Sequence, residues 1–73
     1  MKPFTLIGVD SNAFSVMGYV TNAMREAGFN KNDINNYRNK VMIGTYDMLI
    51  IESLDILDKC NEKLGLQEQK VKL

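Results

Sequence analysis

The sequence predicts a mainly α-helical fold, a three-helix bundle with a short N-terminal extended segment or strand. Three observations carry that expectation. Apolar residues recur at spacings of three and four in three separate stretches. Each stretch is preceded by residues that cap helix N-termini and followed by a Gly. The connections between them are only a few residues long, as antiparallel neighbours require. At 73 residues the chain holds one domain, expected over 1–65 with an arm over 1–10 and a weakly ordered tail over 66–73.

The first element is "PFTLIGV", Pro3 to Val9. Phe4, Leu6 and Ile7 are apolar and Thr5 is β-branched, so the run reads as a short strand. A lone strand must pair with another strand or lie across helices, and a second copy of itself is one candidate partner.

The first helix is expected from about Asn12 to Ala27. Ala13, Val16, Val20, Ala23 and Ala27 form its stripe, widened by Met17 and Met24. Asp10, Ser11 and Asn12 each suit the N-cap. Gly28 suits a left-handed C′ position, and Phe29 the apolar contact behind it. Gly18 lies inside this helix, where Gly costs about 1 kcal/mol against Ala. It shares a stripe with Phe14, Thr21 and Arg25. The first expectation is close packing within the chain; the second is a partner or dimer contact on the Phe14–Gly18 surface.

The second helix is expected from about Asn32 to Met42, with Ile34, Tyr37 and Val41 inward and Asn30 or Asn32 as cap. Asn35, Asn36 and Asn39 are weak helix formers, so packing must hold it. Gly44 closes it and Thr45 caps the third helix, which runs to about Leu64. Leu49 or Ile50, Leu54, Leu57 and Leu64 mark its seam, with Cys60 beside it. Asp55 and Lys59 form a favourable i,i+4 pair, and Gly65 stops the helix.

Composition narrows the chemistry. There is no His and a single Cys, so no intrachain disulfide, no Ser-His or Cys-His pair and no usual zinc ligand set is available. Catalytic residues, metal ligands and cofactors are therefore expected to be none, and the chain is expected not to be an enzyme. "NKNDINNY" fails as a calcium loop, because Ile34 sits where an oxygen ligand belongs. Gly8 stands alone before Asp10, which excludes a phosphate cradle. Glu52, Asp55, Asp58 and Glu62 fall along one flank of the third helix. With no cleft expected in so short a chain they read as a solvated face, or as a contact for a basic partner.

Net charge is zero, which argues against nucleic-acid binding. A small nucleic-acid-binding regulator using Arg25, Lys31, Arg38 and Lys40 is the alternative; a self-assembling structural subunit is another. A helix-turn-helix reading fails because "TYDMLIIESLDIL" is apolar and acidic where a recognition helix needs base-reaching residues. No apolar run approaches a membrane span, and one Cys without an export signal fits the cytoplasm. The apolar fraction of 45% is large for so few elements to bury, which favours a homodimer.

"GVDSNAFSVMGYVTNAMREAGF" followed by "GTYDMLI" resembles a family of small bacterial and phage proteins. The shared pattern is Asp-Gly-Asn-Ala-Phe, an apolar-Gly helix, Ala-Leu/Met-Arg-x-Ala-Gly, then Gly-Asp-Tyr-Asp-x-Leu-Leu. Asp10, Asn12, Ala13, Phe14, Gly18, Ala23, Met24, Arg25, Ala27, Gly28, Gly44, Tyr46, Asp47 and Leu49 match it, with Ser11 in place of a Gly. The resemblance spans most of residues 6–50 and implies a mobile-element context and no activity. The Gly28-Phe29 turn is also similar, at the level of topology, to that of ubiquitin-associated-like three-helix domains. The function expected is interaction with a host or phage protein, through Phe14, Gly18, Thr21 and Arg25 on the first helix or Glu52, Asp55, Asp58 and Glu62 on the third.

Overall fold

Three capped helices fold around one core. The structure, a computed structural model, describes residues 2–66. Helix α1 spans Ala13–Glu26, α2 spans Lys31–Met42 and α3 spans Tyr46–Lys63. Each starts on an N-cap side chain that accepts a backbone N–H: Asn12 from Phe14, Asn30 from Asp33 and Thr45 from Met48. These oxygens satisfy donors that the first turn leaves orphaned. Two helices end in Schellman motifs. Gly28, at φ +85°, donates to the Arg25 carbonyl while Phe29 donates to Met24. Gly65, at φ +69°, donates to Glu62 while Leu66 donates to Asn61. Leu66 therefore belongs to the α3 cap; residues 67–73 of the expected tail lie outside the described residues.

Gly44 closes α2 differently, since its φ is not positive. A Cβ there would lie 3.2 Å from the Met48 Cβ. Its missing side chain lets the start of α3 come close to the end of α2.

The core keeps most of the predicted set, with Ala13, Met17 and Leu64 only half-buried at its edge. Val16, Val20, Ala23, Met24 and Ala27 from α1 and its cap meet Ile34, Tyr37 and Val41 from α2 and Leu49, Leu57 and Cys60 from α3. Leu54 does not join the α3 seam; it is 53% exposed. Ser53 takes that place, fully buried, with its Oγ 2.6 Å from the Tyr37 hydroxyl. A hydroxyl pair deep between two helices satisfies both groups and tolerates burial that a lone Ser would not. Among the described residues, every buried side-chain N or O has a hydrogen-bond partner.

Pro3–Val9 forms no strand. It divides into an extended arm, to about Thr5, and a turn over Leu6–Val9 closed by a 3.0 Å bond from the Val9 N–H to the Leu6 carbonyl. Gly8, at φ +84°, makes the turn and ends the extended run. With no second strand among the described residues, the arm pairs with side chains instead. Phe4 donates to Asn61 Oδ1 at 2.7 Å and accepts from Asn61 Nδ2 at 3.0 Å. Thr5 donates to the Tyr19 hydroxyl at 3.0 Å, and the Phe4 and Tyr19 rings meet edge to face.

Candidate functional site

Three helix ends converge at one end of the bundle: α1 begins there, α2 ends and α3 begins. Between them lies an open cavity of about 240 Å³ lined by Phe14, Met17, Met42, Tyr46 and Leu49, among others. The lining is almost wholly apolar. Phe14 is 73% exposed and Met42 59% exposed, and Ile43 beside them stands 89% exposed. The Tyr46 hydroxyl donates to the Ser11 carbonyl, tying the start of α3 to the cap of α1. That bond fixes one wall of the groove.

The groove is below the range of roughly 300–1,000 Å³ typical of small-molecule sites. It suits one or two apolar side chains from a partner, the geometry of a hot-spot pocket. Residues 10–17 and 42–51 include exposed Asp10 and Asp47 and no Lys or Arg, while exposed Arg38 lies one helical turn before Met42 on α2.

The outer face of α3 continues this character. Asp47, Ile51, Leu54 and Asp58 recur at intervals of four, three and four, and all are exposed. They lie opposite the buried Leu49, Ser53 and Leu57. The four acids expected on one flank separate. Glu52 turns toward α2 and pairs with Lys40 at 3.0 Å, Asp55 pairs with Lys59 at 3.2 Å as expected, and Asp58 and Glu62 are exposed without an ion pair among the described residues.

The first-helix set also separates. Phe14, Gly18 and Arg25 are exposed, whereas Thr21 is buried and donates its hydroxyl to the Gly18 carbonyl at 3.1 Å. Close packing does not account for Gly18: a Cβ there would meet nothing within 4 Å. Phe14 turns instead toward Met42 and Tyr46. Met42 and Ile43 carry no contact role in the sequence reading, and Tyr46 enters it only through the family resemblance. An apolar Met-Ile pair at a helix end, followed directly by a Gly-Thr cap, was the available signal.

The basic set is weakened as a patch, because the Lys40 ammonium is engaged by Glu52. Lys63 lies 4.4 Å over the Phe29 ring at the opposite end of the bundle. Cys60 is fully buried, and burial raises its thiol pKa, partly offset by Lys63. That is the reverse of an activated nucleophile. No group of three or more potential metal ligands occurs among the described residues, and no helix there is long and apolar enough to cross a membrane.

No protein-family model matches the chain, and neither a curated protein nor a solved structure matches it.

Proposed function

We propose that the chain is a small non-enzymatic protein-interaction module of phage or mobile-element origin, acting on a host or phage protein in the cytoplasm of a bacterial host cell. Its contact site is the groove between Phe14, Met42 and Tyr46. The observation that carries the reading is this groove itself: large apolar side chains left exposed at converging helix ends, with exposed Asp10 and Asp47 nearby in the chain. Exposed apolar clusters of this kind mark interaction sites. Charge complementarity selects the partner: an apolar, helical or extended segment flanked by Lys or Arg, which meets Asp10, Asp47 and the acidic outer face of α3. The mobile-element origin rests on the sequence resemblance alone. Self-association into a homodimer is proposed with it, from the apolar content of so short a chain.

The test is capture from host-cell extract by the wild-type chain beside Phe14→Ala/Met42→Ala. Both substituted residues are exposed, so the variant keeps its fold. A protein held by the wild type at low salt, lost from the variant and weakened at high salt, supports the reading. Equal capture by both chains overturns it.

A further inference from the structure

The arm is held by its backbone. Asn61 bonds both the N–H and the carbonyl of Phe4, and Tyr19 accepts from the N–H of Thr5. The Phe4 ring adds an edge-to-face contact with Tyr19 at 6.2 Å between centroids. Asn61 is buried, and its carboxamide does what a neighbouring strand would do. These contacts depend on the arm's backbone and on the Phe4 ring, and Leu6, half-buried against the core, adds apolar packing. None depends on how the arm is connected to α1.

That connection is a single turn. Leu6–Val9 is closed by one backbone bond and by Gly8 at φ +84°, with Ile7 88% exposed at its tip. The slot keeps free space beside Phe4 and Thr5, a cavity of about 250 Å³ also lined by Leu54, Leu57 and Asp58. The arm's one charged residue over 2–6 is Lys2, opposite in sign to Asp58.

We propose that the Tyr19–Asn61 slot takes the arm of a second copy when the Leu6–Val9 turn opens, so that two chains exchange residues 2–6 and form a dimer. The inference rests on the self-association proposed above and gives it a form. Exchange remakes every arm contact in trans, so the balance depends on the turn and on concentration. A link this short gives the closed arm an effective concentration in the millimolar range. The closed monomer therefore dominates at micromolar concentration and the exchanged dimer near millimolar. Exchange leaves the groove open for its partner.

Gly8 is the lever. A side chain at φ +84° strains the closed turn, and an opened turn relieves the strain in both copies. Sedimentation of the full chain from micromolar to millimolar concentration should show a monomer–dimer equilibrium, and Gly8→Val should tighten it by about tenfold or more. In a dimer mixed from isotope-labelled and unlabelled chains, filtered NOEs should connect the Phe4 ring of one copy with the Tyr19 ring of the other. A wild-type dimer lacking those NOEs overturns the exchange and leaves self-association standing. Wild type and Gly8→Val both monomeric at millimolar concentration overturn the two together. The NOE measurement on wild type decides the matter even where Gly8→Val folds poorly.

Discussion

The carboxamide of Asn61 holds both polar groups of the Phe4 backbone, at 2.7 and 3.0 Å, across 57 positions of sequence. One side chain near the end of α3 thus replaces the strand that the arm lacks. Asn61→Ala removes both bonds and leaves the Phe4 N–H and carbonyl half-buried without a protein partner. The expected loss is about 1–3 kcal/mol, read from urea denaturation. The Phe4 amide should also lose its protection from hydrogen exchange. A variant as stable as wild type, with Phe4 still protected, would show that the arm is held by its apolar side chains alone.

The Tyr37–Ser53 hydroxyl pair makes a second test. Tyr37→Phe strands the buried Ser53 oxygen and should cost about 1–2 kcal/mol. Ser53→Ala strands the Tyr37 hydroxyl at a similar cost. The double variant should lose clearly less than the two single losses added together, since neither group is then left alone. Strict additivity in the denaturation cycle would mean that the 2.6 Å contact carries no coupling.

Two glycines should respond with opposite signs. Gly28 sits at φ +85°, so Gly28→Ala should destabilise by about 1–2 kcal/mol. Gly18 sits in regular helix with open space where a Cβ would go, so Gly18→Ala should stabilise by up to about 1 kcal/mol. Thermal unfolding of the two variants beside wild type reads both signs. A destabilised Gly18→Ala would contradict the open space at this position and mean that the fold itself needs a bare backbone there.

Alkaline pH should weaken the fold in a defined order. Burial raises the Cys60 thiol above its ordinary 9.0, with Lys63 opposing. Burial likewise raises Tyr37 above its ordinary 10.0; the Ser53 bond opposes this and Glu52 adds to it. In the unfolded chain both groups ionise at their ordinary values, while the folded chain still holds the protons. Their contribution is complete below about pH 9 and is lost as pH rises from each unfolded value toward the higher folded one. Urea midpoints should fall first through Cys60, then through Tyr37. Cys60→Ala should remove the earlier part of the fall. Midpoints that hold steady or rise across this window would contradict the assignment.

Much of the fold was legible because its signals are local. Asn12, Asn30 and Thr45 cap helices through neighbours two or three residues away, and Gly28 and Gly65 close them within one turn. What escaped depends on partners far along the chain. Leu54 looked like core and Ser53 did not, because burying Ser53 requires Tyr37, sixteen positions earlier. The arm read as a strand because β-branched and apolar residues suit extended backbone; its partner is a single polar side chain on a helix. The groove was half visible. Phe14 was singled out as a contact, but Met42 and Tyr46 join it only once three helix ends converge.

The groove's role is tested most directly by one comparison: capture of host protein by the wild-type chain and by Phe14→Ala/Met42→Ala, with unfolding curves of both. Unfolding midpoints should differ little, since both side chains are largely exposed. Wild type should bind a basic-flanked protein, with affinity lowered about 30-fold or more in the variant, as for truncated hot spots. Equal binding by two equally stable chains, or no protein bound by wild type at low salt, would contradict it.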